Sequence, residues 1–290
     1  MKAWRWLAAA LLAVPPAVTA FAGPAAAGNV PPNRPCAGTA PSGPATADSV
    51  GGPITVWLAG DSTMANPGAT CPVGWGSEFG ALFTGRVRVR NLAIAGRSIQ
   101  TWLYGDGVSD SRSGDGECVM RSTTTSANWN QVLTTMRRGD YLFVQFGIND
   151  ALSACPKHVG RARYRQLMTY MAHEAVLRGA HPVLLTALAA ITCSNGVAAD
   201  NRGYVGQTRA AAAANHAPVI DLQALSVGLY NRLHFCPNDG DYTGGDPVGA
   251  FFCADRTHLE TYGAREIAKV VAGALRTQKI PLAADLKPKK

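Results

Sequence analysis

Short, unbroken apolar runs recur along the middle of the chain, each ending in a glycine or a small polar residue. Ile54–Ala59 (ITVWLA) runs into Gly60, Tyr141–Phe146 (YLFVQF) into Gly147, and Val183–Leu188 (VLLTAL) is a third such run. Runs this short and this apolar predict strands buried on both faces. Val87–Ala93 (VRVRNLA) alternates before it ends near Gly96, and Pro218–Leu222 (PVIDL) is a short final strand. Between them lie helical patterns at Trp75–Phe83, Ala127–Arg138, Arg161–Arg178, Asn201–His216 and Glu260–Arg276. Arg137-Arg138-Gly139 and Gly179 supply the basic last turn and the glycine stop of a helix end. Strands separated by helices predict an α/β fold: a parallel sheet with helices on both faces and right-handed crossovers. In such sheets ligands bind beyond the carboxyl ends of the strands.

The two ends of the chain break this pattern. Lys2 and Arg5 precede an apolar run, Trp6–Val14, which Pro15-Pro16 stops; small residues follow up to Ala25-Ala26-Ala27. That layout predicts a secretory signal peptide over 1–27 rather than a membrane anchor, since the run is too short to span a bilayer. Residues 28–53 hold six Pro and five Gly and read as a linker or extended arm. The folded domain is expected over 54–278, with 279–290 as a solvated basic tail.

Composition narrows the class. Hydrophobic residues make up 47% and charged residues 16%, too apolar for a disordered chain. The net charge of +8 favours acidic partners by long-range steering, but no basic-aromatic run suggests nucleic acid. There are seven cysteines and no C-x-x-C pair, which in an exported chain reads as disulfides with one cysteine spare, assigned to Cys36.

Four polar clusters fall at predicted strand ends: Gly60-Asp61-Ser62-Thr63, Asn91–Ser98, Gly147-Ile148-Asn149-Asp150 and, before the last helix, Asp255-Arg256-Thr257-His258. Ser62 needs a base to become a nucleophile. His258 suits that role, and Asp255 three residues earlier can orient its ring. The oxyanion formed on attack needs donors, for which the Ser62 and Gly96 backbone N–H groups and the Asn149 amide are candidates. Taken singly, Ser62 also suits a helix cap, Gly96 a turn, Asn149 a cap and His258 a surface position. Their joint occurrence at strand ends of one sheet is what selects the catalytic reading.

These four blocks resemble those of the SGNH/GDSL hydrolase superfamily. The stretches Thr55–Ala65 (TVWLAGDSTMA), Gly74–Gly76 (GWG), Asn91–Ser98 (NLAIAGRS), Gly139–Asp150 and Asp255–Ala264 (DRTHLETYGA) are more closely similar to the rhamnogalacturonan acetylesterases. The resemblance spans about residues 54–276. It implies a flavodoxin-like three-layer α/β/α sandwich around a five-stranded parallel sheet, with Ser62, His258 and Asp255 as the triad and Ser62, Gly96 and Asn149 as the oxyanion hole. It further implies acetylated plant polysaccharide as substrate, with no cofactor and no metal. One departure stands out: Ile148 occupies the place where those esterases carry histidine.

Arg97 and Arg256 are candidates for holding uronate carboxylates, with ordinary ion pairing as the alternative. Trp75 and Trp102 are candidate sugar platforms, although the place of Trp75 in an apolar helix stripe favours core packing. Strand-end topology suggests the bridges Cys71–Cys118, Cys155–Cys193 and Cys236–Cys253. A monomer without stable membrane insertion is expected. Rival functions are a lipase or thioesterase, a xylan acetylesterase, and a non-catalytic carbohydrate-binding protein; the polar segment Gly105–Gly116 favours a short acyl group on a polar body.

Overall fold

The computed structural model describes residues 52–68, 71–236 and 247–288. The expected signal peptide, nearly all of the arm, Cys36 and most of the Gly/Asp-rich segment before Cys253 lie outside these residues. In chain order the elements are β1 (Ile54–Gly60), α1 (Trp75–Phe79), β2 (Val87–Asn91), α2 (Ile99–Tyr104), β3 (Val108–Arg112), β4 (Cys118–Met120), α3 (Ala127–Thr135) and β5 (Tyr141–Gln145). They continue as α4 (Arg161–Leu177), β6 (His181–Leu185), β7 (Cys193–Ser194), β8 (Val197–Ala198), α5 (Val205–Ala213), β9 (Val219–Ile220), α6 (Leu222–Arg232) and α7 (Thr261–Thr277).

Five strands form one parallel sheet in the order β2-β1-β5-β6-β9. The strand period of two sorts β1 onto two cores. Val56 and Leu58 join Trp75, Phe79, Phe143, Val271 and Leu275 on one face. Trp57 and Ala59 join Trp102, Trp129, Leu142, Tyr164 and Met168 on the other. Helices α1, α6 and α7 thus cover one side and α2 to α5 the other, giving the three-layer α/β/α sandwich. Because β1 has β2 on one side and β5 on the other, the chain reverses its winding between β1 and β5. Ligands of doubly wound sheets bind at the carboxyl side of such a switch point.

The pattern locates all five sheet strands, and the differences have local causes. The third apolar run extends to Leu188, but β6 ends at Leu185, and Ala187 and Leu188 are buried in the loop beyond it. Tyr204 takes a left-handed backbone (φ 65°), so α5 starts at Val205 rather than at Asn201. Met136 turns extended and ends α3 before the two arginines. The hairpin β3–β4 and the helices α2 and α6 have no counterpart in the apolar pattern. The expected tail begins too early: residues Pro281–Asp285 form a 3-10 turn, Leu282 and Leu286 are buried, and Leu286 bridges Phe83.

The disulfides differ from all three expected pairings. The bonds are Cys71–Cys253, Cys118–Cys155 and Cys193–Cys236. Loop paths, not strand adjacency, decide them. The loop carrying Cys71 runs beside the turn after Cys253, where the Val73 N–H donates to the Leu259 carbonyl (2.9 Å). Cys118 lies on β4, which returns over the loop after Asn149 and so meets Cys155 instead of Cys71. Cys193, on β7, faces the segment after α6 that carries Cys236.

Candidate active site

The turn after β1 is built to present one hydroxyl. The Asp61 carbonyl accepts from the Met64 and Ala65 N–H groups (3.1 and 3.0 Å), closing a tight turn with Ser62 on its outer side. The Asp61 side chain points inward, where one oxygen, Oδ1, accepts from the Thr63 N–H (3.0 Å) and the Thr63 hydroxyl (2.8 Å). Underneath, the Gln145 amide at the end of β5 donates to Thr63 Oγ1 (2.6 Å) and accepts from Trp75 Nε1 (2.7 Å). The glycines of GWG allow this contact: a Cβ at Gly74 would fall 2.2 Å from the Ala65 carbonyl oxygen, and one at Gly76 2.5 Å from that of Met64. Trp75 is therefore a fully buried support for the turn, not a sugar platform. Trp102 is buried as well, its indole N–H bonded to the Leu92 carbonyl.

The second turn approaches from before α7. Arg256 sits at φ 62°, its N–H bonded to the Cys253 carbonyl (3.0 Å), which folds Asp255 back onto His258. Asp255 Oδ1 accepts from the N–H groups of Thr257 (3.0 Å) and His258 (2.9 Å), and Oδ2 bonds His258 Nδ1. Partial burial works against the Asp255 charge, but these three bonds outweigh it and hold the carboxyl below its ordinary range. With Nδ1–H given to Asp255, His258 Nε2 is left to accept, and Ser62 Oγ lies 2.6 Å from it. The sequence-predicted Ser62, His258 and Asp255 thus meet in one hydrogen-bonded line across 196 residues of chain.

The other two blocks close around them. After β2 the chain stays beside β1, with the Ile94 N–H donating to the Gly60 carbonyl (3.0 Å). Gly96 then adopts φ 75°, a backbone that glycine takes without strain. Asn149 Nδ2 donates to the Arg97 carbonyl (3.2 Å), which leaves its second amide hydrogen available. Asp150 locks the arrangement: Oδ1 accepts from the Ile99 N–H (2.9 Å) and Oδ2 from the Gly147 N–H (2.8 Å). Its complete burial pushes this carboxyl up to about 7, against the pull of those two bonds. Arg256, by contrast, is exposed on the histidine turn, and Arg97 is half-buried beside Gly96.

Arg202 is a member of the site that no sequence signal marked, since it lies in an irregular loop far from every block. Its Nε donates to the Leu188 carbonyl (3.0 Å) and its Nη2 to Thr257 Oγ1 (3.3 Å). Burial raises the Asp61 carboxyl, and the Arg202 charge opposes that rise. Gln145 could have been found as the one polar residue in the run YLFVQF. Among the described residues, the only grouping with metal-ligand spacing is Cys71, Cys253 and Glu260, and its two sulfurs form a disulfide with no thiolate to offer.

A serine–histidine–aspartate line at the carboxyl side of a doubly wound parallel sheet is an arrangement found in serine hydrolases, the SGNH class among them. The GDSL-like lipase/acylhydrolase family model matches residues 58–265, and the chain belongs to that family of carboxylic ester hydrolases. It is 32% identical over 245 residues to the rhamnogalacturonan acetylesterase RhgT of Bacillus subtilis, covering 79% of this chain and 93% of that protein. It is 29% identical to the probable rhamnogalacturonan acetylesterase YesY of the same organism, over 78% of this chain and 94% of that one. Among solved structures, YxiM of Bacillus subtilis superposes with a TM-score of 0.61 at 24% identity, over 79% of this chain and 57% of that longer one. The acetylxylan esterase Axe2 of Geobacillus stearothermophilus follows the same fold at a TM-score of 0.50 and 16% identity, over 78% and 94% of the two chains.

Proposed function

We propose that this protein is a secreted serine esterase that removes acetyl groups from a pectic, rhamnogalacturonan-like polysaccharide. The observation that carries the reading is the Ser62–His258–Asp255 line, with Ser62 Oγ 2.6 Å from His258 Nε2. Ser62 Oγ attacks the acetyl carbonyl carbon while its proton passes to Nε2. Asp255 holds the ring in the required tautomer and stabilises the imidazolium. The negative charge on the carbonyl oxygen is received by the Ser62 and Gly96 N–H groups and the Asn149 amide. His258 then protonates the departing sugar oxygen, leaving an acetyl ester on Ser62. Water, deprotonated by His258, attacks that ester, and acetate leaves as the proton returns to Ser62.

The curated relatives support acetylated rhamnogalacturonan as substrate, and three disulfides support an oxidising, extracellular location. Acetate release from acetylated rhamnogalacturonan, acetylated xylan and nitrophenyl acetate, by wild type and by Ser62→Ala, tests the reading. The expected result is release that is fastest on rhamnogalacturonan and collapses in the variant. Faster release from xylan would replace the sugar; no acetate release from any of the three, with hydrolysis of nitrophenyl octanoate assayed alongside, would replace the whole reading with a lipase.

A further inference from the structure

We infer that Lys157 is a specificity residue that binds a carboxylate of the polysaccharide next to the acetylated sugar; this rests on the esterase reading above. Lys157 lies in the loop after Asn149, at a position that no sequence block marked. Its ammonium reaches back over the site: a Cβ built on Gly96 would lie 3.6 Å from Lys157 Nζ, with no other atom within 4 Å outside Gly96 and its two chain neighbours. The cation therefore stands directly beside the glycine offered as an oxyanion-hole donor.

The loop that holds it is well anchored. The Lys157 and His158 N–H groups donate to the Ala154 carbonyl (3.2 and 3.1 Å), and the Val159 N–H donates to the Asp150 carbonyl (3.1 Å). The Cys118–Cys155 bridge ties the same loop to β4. Lys157 is half-buried, and no carboxylate pairs with it among the described residues. Arg97, the residue after Gly96, has no carboxylate partner among the described residues either. By contrast, the half-buried Arg178 pairs with Glu174 (2.6 Å), and the half-buried Arg202 is bonded to the Leu188 carbonyl and Thr257 Oγ1. An ammonium with no carboxylate partner, held beside the site, is placed to donate a charge-assisted hydrogen bond to a carboxylate of the ligand. A pectic chain containing galacturonate supplies a carboxylate on or close to the sugar that carries each acetyl group.

The reading predicts discrimination by charge, which small neutral esters do not feel. Lys157→Ala is expected to raise KM about tenfold on acetylated rhamnogalacturonan, the loss of one charge-assisted hydrogen bond, with kcat kept within about twofold. On nitrophenyl acetate, and on the same polymer with its uronates methyl-esterified, the variant should match wild type. Lys157→Arg should restore most of the affinity. An equal loss on charged and neutral substrates would overturn the proposal and place Lys157 at the oxyanion instead. Binding separates this from failure of the esterase reading: oligogalacturonide should bind Ser62→Ala about tenfold more tightly than Ser62→Ala/Lys157→Ala, and the methyl-esterified oligomer equally to both. If the protein releases no acetate yet this difference holds, the esterase reading falls and the carboxylate site stands. If acetate is released and the binding difference is absent, the carboxylate site falls alone.

Discussion

The two turns that meet at the site are held in opposite ways. The serine turn continues a central strand and rests on a buried floor of Thr63, Gln145 and Trp75, with glycines packed against its backbone. The histidine turn has no sheet strand beneath it. It hangs on separate ties: Cys71–Cys253, the Val73–Leu259 bond, the Ile191 N–H on the Arg256 carbonyl (2.9 Å) and Arg202 on Thr257. Asp255 is half exposed, whereas Asp61 on the serine turn is fully buried. The proposed nucleophile is thus positioned by the fold's core, and its proposed base by cross-links laid over the surface. Damage to the first turn should cost the fold, and damage to the second should cost the alignment.

The largest effect is expected on that alignment. His258→Ala should lower kcat by about 10⁵-fold or more, and Asp255→Asn by about 10⁴-fold, as in other triads whose members act together. Both variants should keep the wild-type circular dichroism and melting profile. A melting temperature that falls with the activity would mean that the histidine turn carries the fold after all.

Asn149→Ala removes one donor from the proposed oxyanion hole and should cost about 10²–10³-fold in kcat. Steady-state kinetics on nitrophenyl acetate check this without any sugar contact. A change confined to KM would show instead that Asn149 acts through its bond to Arg97.

The disulfide separates the two turns most sharply. Cys71→Ser/Cys253→Ser should weaken the histidine turn by about 2–4 kcal/mol through the freed loop. Activity should then be lost on heating before the fluorescence of the buried tryptophans, Trp57, Trp75, Trp102 and Trp129, changes. Gly74→Ala should do the reverse, lowering the global transition itself, because its Cβ has no space beside Ala65. Coincident transitions in both variants would erase the distinction.

The smallest effect concerns pH. The Asp150 carboxyl is raised to about 7 in the folded protein, so between about pH 4 and 7 the native state keeps a proton that the unfolded chain has released. Its contribution to stability is present at low pH and is lost as the pH rises through 7. Denaturant melts at pH 5 and pH 8 should therefore differ less for Asp150→Asn than for wild type. An unchanged difference would assign the dependence to other groups.

What the chain discloses in advance follows the same division. The strands are legible because a strand buried on both faces must be apolar throughout, and strand ends then mark Ser62, Gly96 and Asn149. The Asp255–His258 turn is legible from local spacing, since three residues and one left-handed position bring the carboxylate to its own histidine. The ties between distant loops are not legible. Cys71 finds Cys253, and Arg202 finds Thr257, only because of loop paths that no periodicity records. Trp75 is legible in part: its place in an apolar helix stripe favours the core, where it lies, but its bond to Gln145 under the serine turn is recorded in no local pattern.

The most direct test of the account is to treat the protein with a serine-directed fluorophosphonate and locate the adduct by peptide mass spectrometry. One adduct is expected, on the peptide containing Ser62, absent in Ser62→Ala and formed at least about 10³-fold more slowly in His258→Ala. Labelling at another residue, or labelling of Ser62 at an undiminished rate without His258, would contradict a nucleophile and base that act as one unit.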